Sequence, residues 1–123
     1  MTAPVTIDHC GRTTGAAVVA FDIQWSGELP ADGDVTWAVR VTSGDGDGHV
    51  ELGHQRSRAG MSQYALDLTT GRRQDVGPDA DVQEGEITVR FPPDVVGVAV
   101  EWPTWQAVIA VGGEDVASLA VRA

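Results

Sequence analysis

Apolar and polar residues alternate with a period of two along most of this chain. Side chains on a strand point by turns to opposite faces, so such a segment keeps one face in a core and one in water. In Ala16–Trp25, Val19, Phe21, Ile23 and Trp25 fall on one face, while Ala20, Asp22 and Gln24 fall on the other. Gly27–Gly33 interrupts with turn residues, Asp32 among them. Asp34–Thr42 repeats the pattern with Val35, Trp37, Val39 and Val41 inward and Thr36, Ala38, Arg40 and Thr42 outward. Ser43–Gly48 is a tight connection, because Asp-Gly pairs supply the positive φ of hairpin turns.

His49–His54 reads as a short strand with Val50 and Leu52 inward. Met61–Thr70 alternates, with Tyr64, Leu66 and Leu68 on one side and Gln63, Ala65 and Asp67 on the other. Gly71–Ala80 reads as a polar loop. Glu86–Phe91 is a strand that Pro92-Pro93 must end, since proline cannot donate to a ladder. Asp94–Gly97 is expected to form one helical turn or a bulged bend. Val98–Trp102 and Trp105–Val111 are expected as two further strands split by Pro103, with Val116–Val121 closing the sheet and Val5–Asp8 opening it. No segment carries a helical stripe longer than one or two turns. Eight or nine short strands joined by Gly- and Asp-rich turns predict an all-β, two-layer antiparallel sandwich over residues 1–123, a single domain; a small closed β-barrel is the alternative.

A chain of 123 residues with 42% hydrophobic residues can bury a real core without staples. Eighteen acidic residues face eight basic ones, for a net charge of −10, and every basic residue is Arg. With Ala, Val, Gly and Asp so frequent, the absence of Lys points to a GC-rich source. The scattered arginines, with Arg56/Arg58 and Arg72/Arg73 as the only close pairs, argue against nucleic acid and against anionic membrane surfaces. Cys10 stands alone, so no intrachain disulfide is expected. The first residues show neither a basic nor an apolar signal-peptide region, and no run approaches a membrane span. A cytoplasmic protein is expected, or a secreted one if a leader has been trimmed.

Motifs for catalysis and metal binding are weak. The Asp45–Glu51 segment departs from the calcium-loop pattern where His49 and Val50 stand, and reads as a solvated turn. His9, His49 and His54 lack metal-ligand spacing, and His49 and His54, five apart, fall on opposite faces of a strand. His9 and Cys10 are strand neighbours that point apart and cannot readily pair as base and nucleophile. No catalytic residue, metal site or cofactor is expected. Four Trp against two Phe and one Tyr are more informative. Trp25 and Trp37 are in phase with core faces. Trp102 and Trp105 bracket Pro103, which places at least one indole near a rim, where indoles commonly meet flat ligands.

The order of Phe21-Asp22-Ile23, Leu29-Pro30, Trp37, a Gly-Asp hairpin, Leu52-Gly53, Tyr64-Ala65-Leu66-Asp67, Thr70-Gly71-Arg72, Ile87–Pro92, and a Trp105 strand ending in Gly112–Asp115 resembles the DOMON and family-nine carbohydrate-binding β-sandwich domains. That resemblance implies an accessory module of actinobacterial extracellular proteins, binding sugar through aromatic residues or haem through Met and His. The residues themselves support a non-catalytic binding module for a carbohydrate or other small molecule. Trp102 and Trp105 are its leading candidates, followed by Tyr64, Arg40 and Arg90, the two arginines being on outward strand phases. Two readings stand beside it. One is a cofactor-independent β-barrel isomerase or cyclase for an apolar metabolite, using one of His9, His49 or His54 as acid or base. The other is a structural domain that homodimerises through an edge strand.

Overall fold

Strand-forming residues with period-two burial give ten strands in the computed structural model, which describes residues 4–31 and 33–121. The first three residues and the turn position Asp32 lie outside the described residues. The strands are β1 (Thr6–Thr14), β2 (Val19–Ser26), β3 (Val35–Thr42), β4 (His49–Ser57), β5 (Gly60–Asp67), β6 (Arg73–Val76), β7 (Ala80–Gln83), β8 (Glu86–Phe91), β9 (Thr104–Val111) and β10 (Glu114–Ala120). A four-stranded sheet runs in the order β1-β2-β8-β7, and a six-stranded sheet in the order β10-β9-β3-β4-β5-β6. Every pairing is antiparallel. The sheets stay open and stack as a sandwich, which overturns the closed-barrel alternative: β1 and β7 end one sheet, β10 and β6 the other.

The core is the set of inward phases. Val19, Phe21 and Ile23 of β2 and Ile87, Val89 and Phe91 of β8 meet Val35, Trp37, Val39 and Val41 of β3 and Trp105, Ala107 and Ile109 of β9. All of these are buried. Burying a large apolar side chain contributes roughly 1.5–3 kcal/mol, so these faces dominate the stability. Gly112 and Gly113 both take positive φ, 60° and 88°, in the two-residue turn between β9 and β10. Two positive φ values in succession match the twist of flanking antiparallel strands.

Three expectations need correction, and β5 settles which of its two faces is inward. Ten strands form among the described residues rather than eight or nine, because two unexpected strands appear: β6, within the stretch read as a polar loop, pairs with β5 through Gln63–Leu66, and β7 pairs with β8. Val98–Trp102 is not a strand. Pro93 opens a single α-turn, α1 (Pro93–Val96), and a 3-10 helix (Gly97–Glu101) continues it to Trp102. Proline fits the first helical turn, where no backbone donor is needed. The phase of β5 is opposite to its hydrophobicity: Ala65 enters the core and Gln63 is buried, while Tyr64 and Leu66 lie on the outer face. Cross-strand neighbours decide this, since Ala65 sits opposite the core residue Leu52 and Tyr64 opposite Gly53. Finally, β1 runs on to Thr14 and carries Arg12 on an inward phase, opposite Phe21.

Candidate functional site

The segment from Pro93 to Trp102 crosses from β8 in one sheet to β9 in the other and covers one end of the sandwich. Val96 and Ala99 anchor it in the core. Trp102 terminates it in extended conformation, as a residue before proline must, with its N–H donated to the Ala99 carbonyl at 3.1 Å. The benzo edge of its indole lies against Gly48, where a Cβ would stand 2.6 Å from Cη2. Only glycine allows that approach. Trp102 is therefore fixed but half-buried, and it lines a pocket of about 460 Å³.

The other walls are Val50 and Ala65 from the sheet, Val98 from the helical crossover, and the β5–β6 hairpin with Arg72, Arg73 and Gln74. Val98 is 68% exposed, which leaves an apolar lip at the mouth. Asp67 is committed to its own turn, accepting from the backbone N–H groups of Thr69 and Thr70. Arg73 pairs with Asp75 at 2.8 Å and stacks over Tyr64, 4.3 Å from the ring centroid. Arg72 makes no ion pair among the described residues and is exposed. The pocket thus offers one half-buried indole, aliphatic walls and a guanidinium free to bind.

The five residues expected to form a site are split between the end pocket, the core and the outer faces of the two sheets. Trp105 is core: 2% exposed, it donates Nε1–H to the Trp102 carbonyl at 3.0 Å. Its ring is covered by the Arg12 guanidinium, 4.6 Å from the centroid, so no ligand can stack there. Tyr64 and Arg40 share the outer face of the six-stranded sheet. Glu51 accepts from Tyr64 Oη at 2.6 Å and from Arg40 Nε at 2.9 Å, and Asp115 accepts from both Nη atoms of Arg40. Burial and the Glu51 hydrogen bond push the Tyr64 phenol well above its usual range. Arg40 holds the Asp115 carboxyl below its usual range. Arg90 is on the outer face of the other sheet, paired with Asp79 at 3.3 Å and Asp81 at 2.5 Å. Carboxylates occupy both arginines, which removes the free guanidinium that ligand binding would need.

The histidines are equally dispersed. His9 lies on β1, 3.7 Å from Asp22, and His49 is exposed at the start of β4. His54 is buried, with Nδ1 3.0 Å from Gln63 Oε1. That oxygen also accepts the Asp79 N–H, while Gln63 Nε2 donates to the Arg90 carbonyl at 2.6 Å. A carbonyl oxygen only accepts, so His54 must carry its proton on Nδ1. No group of three or more His, Cys, Asp or Glu side chains able to hold a metal occurs among the described residues. No described helix is long and apolar enough to cross a membrane. Of the pocket's polar groups, sequence reasoning missed Arg72; its only signal was the Arg72-Arg73 pair after a Thr-Gly turn.

Searches against family models, curated proteins and solved structures found no match to this chain.

Proposed function

We propose that this domain is a non-catalytic binding module whose ligand, a carbohydrate or comparable small molecule with one apolar face, seats against Trp102. One observation carries the reading: a half-buried indole, fixed by Gly48 and Pro103, lines a pocket of about 460 Å³ beside Arg72, which forms no ion pair with a described residue. Binding pockets of a few hundred Å³ commonly combine apolar walls with a small number of oriented polar groups. The exposed Arg72 guanidinium can hold a carboxylate or sulfate, which favours ligands such as acidic sugars.

The test is intrinsic tryptophan fluorescence titrated with neutral and acidic glycans, in the wild type, Trp102→Ala and Arg72→Gln. Saturable quenching with acidic glycans, lost in Trp102→Ala and weakened in Arg72→Gln, is expected. A wild type that responds to no member of the panel, or quenching that survives Trp102→Ala, overturns the proposal. The isomerase or cyclase reading depended on a barrel interior, and the open, filled sandwich removes that premise.

A further inference from the structure

A second pocket, of about 480 Å³, opens at the other end of the sandwich. Val50 in the first pocket and Arg56 in the second stand near opposite ends of β4, roughly 20 Å apart by strand rise. The walls of the second are aromatic and aliphatic: Trp25, Trp37, Leu29 and Val82. The two indoles pack 5.6 Å apart at 41°, and Trp25 is half-buried while Val82 is 48% exposed.

One donor in this pocket lacks a counter-ion, and one indole of its wall has a buried N–H. Trp37 is 1% exposed, and its Nε1–H, out of reach of solvent, has no hydrogen-bond partner among the described residues. Buried donors are almost always paired, and one left unpaired is destabilising. Arg56, its guanidinium 5.9 Å from the Trp37 ring centroid, donates Nη2 to the Pro30 carbonyl but forms no ion pair with a described residue. Its remaining N–H groups are available to a carboxylate. At the rim stand two exposed carboxylates, Glu28 and Glu84.

A pocket with an apolar ring site, a guanidinium and a carboxylate rim matches one ligand chemistry closely. We infer that it binds a free aromatic α-amino acid, with the ring against Trp25, Leu29 and Val82. The ligand carboxylate accepts from Arg56, whose guanidinium lies beside the Trp37 ring, and its ammonium group meets Glu28 and Glu84. This site is separate from the Trp102 pocket and does not depend on the function proposed for it.

The test follows the four indole N–H signals by proton–nitrogen NMR during titration with L-phenylalanine, phenylacetate and phenethylamine. Loss of one signal in Trp37→Phe assigns it. Phenylalanine is expected to shift the Trp37 signal saturably. Phenylacetate, lacking the ammonium, and phenethylamine, lacking the carboxylate, should each bind at least tenfold more weakly. Arg56→Gln, a half-buried position outside the core, should keep the native indole pattern and weaken phenylalanine at least tenfold; Trp102→Ala should leave it unchanged. The inference is overturned if the Trp37 signal stays fixed up to the solubility limit of phenylalanine. It also fails if Arg56→Gln binds as the wild type does, or if all three compounds bind alike.

Discussion

Replacing Gly53 by alanine should destabilise this domain through one ring. Gly53 lies on β4 opposite Tyr64, and the phenol crosses directly over it. A Cβ at residue 53 would stand 2.4 Å from Tyr64 Cζ and 2.5 Å from its hydroxyl oxygen, so the ring must leave. Its departure breaks the 2.6 Å hydrogen bond to Glu51 and the stacking with Arg73. A hydrogen bond to a charged group contributes about 1.5–3 kcal/mol, and an exposed cation–π contact about 0.5–1 kcal/mol. Alanine in a strand interior recovers roughly 0.5–1 kcal/mol relative to glycine. The net cost of Gly53→Ala is about 1–3.5 kcal/mol, which at an m-value of ~1.5 kcal/mol/M lowers the urea midpoint by roughly 0.7–2.3 M. The diagnostic experiment is a double-mutant cycle. With Tyr64→Ala the obstruction is gone, and Gly53→Ala should then be neutral or slightly stabilising. An equal cost in both backgrounds would show that the backbone, not the ring, requires glycine, and the reasoning would fall.

Three further outcomes follow from the same structure. Tyr64 is the only tyrosine, so near-UV phenolate absorbance reports it alone. Burial and then the Glu51 bond favour its neutral form, so phenolate should appear only well above pH 10, the usual tyrosine range. The stability this group contributes is complete below about pH 10 and declines as pH rises past it, a slope that urea melts of Tyr64→Phe should lack. Burial, with Asp22 adding to it, raises the Cys10 thiol, which sits under β10 with Sγ 3.5 Å from the Ala120 carbonyl oxygen. Iodoacetamide should therefore modify native protein slowly and urea-unfolded protein fast, and equal rates would contradict the burial. Gln63→Leu strips partners from His54 Nδ1, the Asp79 N–H and the Arg90 carbonyl together, and should cost about 3 kcal/mol or more by denaturant melts.

The difference between what could be read from the sequence and what could not is a difference between local and non-local information. β2, β3 and β9 are buried on both neighbouring sides within their sheets, so their alternation alone names the inward residues correctly. β5 also alternates, but alternation specifies two faces without saying which is inside. There the cross-strand partners decide: Gly53, opposite Tyr64, leaves room for the phenol to lie over β4 on the outer face. The Val98–Trp102 stretch is apolar with no clear period, and the proline pair before it fixed its conformation more strongly than its hydrophobicity did. The same contrast divides the Trp102–Trp105 corner. Pro103 constrains only the residue before it, so it holds Trp102 at the rim and leaves Trp105 to follow the phase of β9 into the core. Arg12 then completes the division: it occupies an inward phase of β1 because the Trp105 ring gives its guanidinium a face to cover. An arginine pointing inward is intelligible only once a strand 90 residues away is known to lie opposite, which is why a charged residue in a core position was invisible to pattern and obvious in three dimensions.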